Sequence, residues 1–278
     1  MVTKVQRILI VSIIGFSLFG LAFALIYSVR SEQKHAQELK EKEYEQLQEE
    51  ISEFERAKTY YYSILKKNSK TKSREGNDYF ATPEPLGYKM VEWLNIKPGH
   101  NLLEPSAGHG AIGRFFPENC VNTYIEPSYT LSSELSLNVK GEIKQMRFEE
   151  LNHWNKYDGI AMNPPFGKNS KLAMEHVEKA THHMNVRDKS RIVSIVPNGT
   201  SFDKRLKAFL DNPDNKDIFL KAEILLPSVV FKRASTSVYT KIIILDKNCG
   251  DDNYYRKIDL SQIKNVKTFF DDIENLNI

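Results

Sequence analysis

From residue 79 onward, short apolar runs alternate with stretches of helical spacing. The runs at 101–104, 121–126, 143–148, 159–162, 192–196, 218–226 and 238–245 are strand-length and punctuated by turn residues, which predicts seven strands. Between them, 110–116, 170–183 and 202–210 carry the spacing of helices. Strands that alternate with helices imply an α/β fold with a mostly parallel sheet and helices on both faces.

The pattern before residue 79 is of another kind. Residues 8–28, ILIVSIIGFSLFGLAFALIYS, contain no charge. At 1.5 Å per residue such a run spans about 30 Å, the thickness of a bilayer core. This predicts a transmembrane helix, with 1–30 as the anchor. Ala22-Phe23-Ala24 resembles a signal-peptidase site, but signal cores run only about 7–15 residues, so length favours a retained anchor. Lys4 and Arg7 precede the run, whereas Arg30, Lys34, Lys40 and Lys42 follow it, which predicts a domain facing the cytoplasm.

Residues 31–65 are dense in Glu, Lys and Gln and read as a charged helix. Tyr44, Leu47, Ile51, Phe54, Tyr61 and Leu65 form an apolar stripe that Lys58 interrupts. Two readings stay open: a coiled coil that pairs with a second copy or a partner, and a single amphipathic helix lying on its own domain. Residues 66–77, KKNSKTKSREGN, hold five basic residues and one acid and read as a linker. The main domain is then 78–247, and 248–278 is a C-terminal extension.

The net charge of +3 permits a nucleic-acid partner without arguing for one. Cys120 and Cys249 lie in no CxxC pair and near no His cluster, so neither a disulfide framework nor a metal site is expected.

Chemistry concentrates at three strand ends. The first run ends in Leu103-Glu104-Pro105-Ser106-Ala107-Gly108-His109-Gly110, where two glycines let a ligand approach the backbone and Glu104 suits a cationic amine. The second ends at Glu126, placed to accept both hydroxyls of a ribose. The fourth ends in Asn163-Pro164-Pro165-Phe166-Gly167. The prolines remove two N–H donors, so the Asn163 side-chain oxygen and the Pro164 carbonyl can accept both hydrogens of one amino group. Two such acceptors favour a pyramidal, nucleophilic nitrogen, and Phe166 can stack on a flat base.

These residues, in this order, resemble the S-adenosylmethionine-dependent amino-methyltransferases that modify adenine N6 or cytosine N4, with the motif order of the gamma type. The resemblance covers about 78–247. It implies a Rossmann-like seven-stranded methyltransferase sheet with S-adenosylmethionine as cofactor. Phe80, Thr82 and Pro83 match the motif at the methionine end of the cofactor. Glu104, Ser106, Gly108 and Gly110 match the cofactor loop, Glu126 the ribose acid, and Glu149, loosely, an acid near the adenine. Asn163, Pro164, Pro165 and Phe166 match the catalytic motif, and Phe231 an aromatic that packs on the flipped base. DNA is the partner implied, with Lys204, Arg205, Lys232 and Arg233 as candidate phosphate contacts. The same motif serves enzymes acting on RNA bases and on protein glutamine. A membrane-anchored scaffold without activity is the non-enzymatic alternative.

Overall fold

Eight short strands form one mixed sheet in the computed structural model, which describes residues 29–31, 33–37, 40, 51–67, 81–152, 154–234, 239–248 and 254–278. The chain divides into two units, 1–53 and 54–278. In the first unit, residues 29–31 and 33–37 are helical and exposed. The second unit contains the sheet.

The strands are β1 (Asn101–Glu104), β2 (Val121–Ile125), β3 (Glu142–Lys144), β4 (Gly159–Met162), β5 (Ser190–Pro197), β6 (Ile218–Leu225), β7 (Thr240–Lys247) and β8 (Arg256–Asp259). Their order is β3-β2-β1-β4-β5-β7-β6-β8. The five strands from β3 to β5 run parallel, β7 is antiparallel to both of its neighbours, and β8 pairs parallel with β6. The helices are α1 (Glu53–Lys67), α2 (Glu84–Glu92), α3 (Tyr129–Asn138), α4 (Lys171–His183), α5 (Thr200–Leu210) and α6 (Val266–Glu274).

Alternate residues of the central strands enter two separate cores, as the two-residue period of a strand requires. Leu102, Ala161, Val193, Ile195, Ile242 and Ile244 face the core shared with α1, α2 and α6. Leu103, Ile160, Met162, Ile192, Ile243 and Leu245 face the core shared with α4 and α5. Both faces are covered, as predicted, and that is why these runs read as continuously apolar.

Three expectations are corrected. The sheet has eight strands, because Arg256–Asp259 adds one beyond β6. The helix expected over 110–116 is a single 3-10 turn, Gly113–Phe115. Gly108 and Gly110 hold positive φ just before that turn, and Phe116, extended ahead of Pro117, stops it. Finally, among the described residues no helix is long and apolar enough to cross a membrane. The longest named helix, α1, has 15 residues, about 22 Å, short of a bilayer core. The segment 8–28 lies outside the described residues, so the transmembrane helix has no support. The membrane-anchored, cytoplasm-facing placement that rested on it is withdrawn.

Residues 41–50 of the charged segment also lie outside the described residues, and Ile51 and Ser52 are not helical. From Phe54 onward the stripe packs on its own domain. Tyr61 meets Phe270 edge-on at 5.1 Å, and the Lys58 ammonium lies 2.9 Å from Asp271. This matches the reading of an amphipathic helix on its own domain, and nothing described supports a homodimer.

The last residues are tied into the same core. Phe269, Phe270 and Ile273 of α6 are fully buried. Lys89 Nζ donates to Glu274 O (3.0 Å), Trp93 Nε1 to Leu276 O (2.8 Å) and Arg256 Nη1 to Asn277 O (2.7 Å). Residues 254–278 therefore complete the domain. Phe270→Ala is expected to cost about 3–5 kcal/mol of stability, as for other buried phenylalanines, measured by urea denaturation. A loss below about 1 kcal/mol would show that α6 is peripheral.

Candidate functional site

The sheet order reverses between β1 and β4, which pair in parallel at Leu102↔Gly159 and Leu103↔Ile160. The connections leaving the two strands diverge there. The crevice outside their carboxyl ends is where ligands bind in open α/β sheets. The chain after β1 forms one wall and the chain after β4 the other.

After β1, Gly108 and Gly110 adopt φ of 55° and 87°. A side chain at Gly110 would be strained by that φ and would also meet Leu135 and Val139 at 2.9 Å. The turn is pinned from β2. Glu126 Oε2 accepts from Gly108 N and Oε1 from Ser128 N, both at 2.8 Å. A carboxylate offers about four lone-pair sites, so a ribose diol still finds acceptors on Glu126. Burial pushes the Glu126 carboxyl up, and the two amide donors pull it back.

Glu104 is 1% exposed and accepts from Gly113 N at 2.8 Å. Burial holds its carboxyl well above the usual range against the opposing pull of the Gly113 amide and Arg114. Gly113 is a position that motif reading missed, since a Cβ there would collide with Glu104 Oε2 and the Tyr124 ring. Its signal was only its spacing from Glu104.

After β4, Asn163 is half-buried and its Nδ2 donates to Thr82 Oγ1 at 3.2 Å. That bond ties the Asn163 side chain to the Thr82 hydroxyl, which can donate as well as accept. It also joins two motifs 81 residues apart, a pairing that spacing could not reveal. Pro164 is buried, and Pro165 and Phe166 are half-buried. Gly167, Asn169 and Ser170 all hold positive φ, a strained run against this wall.

The other expected residues scatter. Thr82 and Pro83 are buried just ahead of α2, and Phe80 lies outside the described residues. Ser106 is half-buried in the turn. Glu149 is turned to α4, its Oε1 3.3 Å from His176 Nε2. Phe231 is 4% exposed within the core, so it is not presented to solvent. Lys204 and Arg205 are exposed on α5. The side chains of Lys232 and Arg233 are not described. No group of His, Cys, Asp or Glu suited to a metal occurs among the described residues.

No protein-family model matches the chain. Over 131 residues it is 31% identical to the type II methyltransferase M.AccI of Acinetobacter calcoaceticus, a match covering 38% of this chain and 22% of that one. Over 137 residues it is 28% identical to ribosomal RNA small subunit methyltransferase A of Malacoplasma penetrans (strain HF-2), covering 45% and 48%. The chain therefore spans less than half the length of either curated relative. A Listeria monocytogenes structure assigned to the class I S-adenosylmethionine-dependent methyltransferases shares the fold, with a TM-score of 0.57, 14% identity and coverage of 82% and 80%. The sequence similarity and the shared fold both make the S-adenosylmethionine-dependent methyltransferases what this chain resembles. S-adenosylmethionine is the cofactor named for that structural relative.

Two buried atoms in this region lack partners among the described residues, Glu84 Oε2 and Arg114 Nη2. Unmet buried groups of opposite charge fit a ligand that carries both an ammonium and a carboxylate, as the cofactor's amino-acid end does.

The raised Glu104 has a consequence for stability. A carboxyl whose folded pKa exceeds its unfolded value binds more protons when folded, so it costs stability as pH rises through and above that window. Glu104→Gln keeps an acceptor for Gly113 N and removes that cost. We expect a higher Tm than wild type at pH 8, a gap that closes toward pH 4, and weaker cofactor binding by calorimetry. Equal melting at pH 8 would contradict the assignment.

Proposed function

We propose that this chain transfers a methyl group to an exocyclic amino nitrogen, with adenine N6 in DNA as the target. The observation that supports the reading is the Thr82–Asn163 hydrogen bond, which joins two of the motifs, with β1 and β4 paired at the switch point. Both curated relatives are methyltransferases, one type II and one acting on ribosomal RNA. The gamma-type motif order favours the DNA target.

When bound, S-adenosylmethionine supplies an electrophilic methyl group on a sulfonium sulfur. Glu104, Ser106, Gly108, Gly110 and Glu126 would hold it, with Thr82 and Pro83 at its methionine end. Asn163 Oδ1 and the Pro164 carbonyl accept the two amino hydrogens of the target. An aromatic amine delocalises its lone pair into the ring. Two fixed acceptors draw that pair back onto nitrogen and stabilise the positive charge that develops there. Phe166 offers a face for the base. Thr82 acts by positioning, since its hydroxyl anchors the Asn163 side chain.

The test is transfer of labelled methyl by the full chain to DNA, RNA and ribosomal protein in parallel, with digestion of labelled DNA to nucleosides. Label as N6-methyladenine supports the proposal, and label confined to RNA or protein overturns the DNA target. Asn163→Ala should lower kcat by about 10²–10³-fold, the scale of a lost electrostatic contact, with cofactor affinity unchanged. Thr82→Val should lower kcat by up to about 10²-fold through misplacement of Asn163, and Thr82→Ser should restore it. Wild-type kcat in Thr82→Val would remove Thr82 from the mechanism.

A further inference from the structure

The opposite end of the sheet carries a second concavity that methyl transfer does not use. A cavity of about 560 Å³ is lined by Trp154, Asn155, Lys156, Asn185, Val186 and Arg187. These residues belong to the chain just before β4 and just before β5, at the amino ends of the strands. The eight residues of β5 separate it from the methyl-transfer crevice by roughly 25 Å.

Its walls are held in place. Asn155 N donates to His182 O (3.1 Å), Lys156 N to His183 O (3.0 Å) and Asn185 N to Tyr157 O (2.7 Å). Asn185 Nδ2 donates to Asp158 Oδ1 (2.6 Å), and Asn248 Nδ2 donates to Val186 O (3.0 Å). Trp154 stacks on His183 with rings 5.2 Å apart and 3° from parallel, yet it remains 53% exposed. A large aromatic that is clamped on one side and open to water is an uncommon arrangement for a core residue.

The charge around it is positive. Lys156 and Arg187 have no carboxylate partner among the described residues; the Lys156 ammonium lies 5.3 Å from the Tyr157 ring and the Lys179 ammonium 5.6 Å from the Trp154 ring. Asp158, beneath the pocket, accepts from Asn101 and Asn185, and Asp188 is the exposed acid of the β5 loop. A rigid aromatic face flanked by uncompensated cations suits a ligand with a flat ring and an attached phosphate.

We propose that this pocket binds an unpaired nucleotide, the base stacked on Trp154 and the phosphate held by Lys156 and Arg187. The nucleotide comes either from a single-stranded nucleic acid or from solution as a free mononucleotide. The site lies apart from the methyl-transfer crevice and its test reads binding alone, so failure of either proposal leaves the other standing.

Trp93, the other tryptophan, is buried, so quenching of the full chain by acrylamide reports Trp154. The probes are a short single-stranded oligodeoxynucleotide, AMP and inorganic phosphate. Protection of Trp154 by the oligonucleotide alone assigns the pocket to a nucleic-acid strand, and protection by AMP assigns it to a free nucleotide. Protection by neither, or equally by phosphate, overturns the proposal. Trp154→Ala should weaken binding of the protecting probe by at least about fivefold, and Trp154→Phe should retain it. Lys156→Glu with Arg187→Glu leaves the stacked ring in place and should weaken binding while flattening its salt dependence. Unchanged affinity in both the Trp154→Ala and the double variant would also overturn it.

Discussion

Parallel pairing of β1 with β4 is the constraint on which the rest of the molecule depends. Leu102 lies against Gly159 and Leu103 against Ile160, with no intervening strand although 54 residues separate the two elements. Because the pairing is parallel, both carboxyl ends fall on one edge. Because the sheet order reverses here, the chains that leave those ends part and open a crevice. The glycine turn and the Asn-Pro-Pro-Phe segment become opposite walls through this one contact. Gly159 lets it close, since a Cβ there would meet Leu102 at 2.9 Å.

The sequence revealed the parts of the fold whose local pattern agrees with their burial. β1 and β4 were found with their observed limits, because β4 is apolar throughout, β1 has a buried Leu-Leu pair at its centre, and the residues that follow them are Pro105 and Asn163. α3 was not found, since Leu135 is its one buried residue and a single apolar position sets no period. β8 was missed for a related reason: Arg256, Lys257 and Asp259 make it an edge strand guarded by charge, and only Ile258 packs inward. The site divides in the same way. Glycines, prolines and strand-end acids are visible as residue types in a row. The Thr82–Asn163 bond and the fit of Gly113 to Glu104 exist only after long-range folding. Phe231 shows the reverse case, an aromatic at a plausible spacing that the fold buries.

Two acids at the crevice explain why the site is costly to build. Glu104 and Glu126 are removed from water, and each recovers part of the loss through backbone amides of the turn it supports. Each acid depends on the glycine turn for donors, and the turn depends on the acids for its shape. A buried carboxylate with spare lone pairs can still accept from a ligand that brings donors of its own. The orphaned Glu84 Oε2 and Arg114 Nη2 belong to the same balance.

The elements flanking the catalytic motifs bear on how a target is read. Residues 254–278 supply an edge strand and a helix that fills one core, with Lys89, Trp93 and Arg256 gripping the carbonyls of the final turn. They are committed to the domain core. Under the proposed function, a base entering over β4 would meet the strained run Gly167–Ser170 and the exposed cations of α5, whose first turn is joined to that run by Ser201 Oγ donating to Asn169 O at 2.9 Å. This short wall would then be one surface that a target meets. A wall made of one loop and one helix turn has room for a base and its nearest phosphates, and little more. Such a surface favours recognition of a nucleotide in its immediate context over recognition of a long sequence.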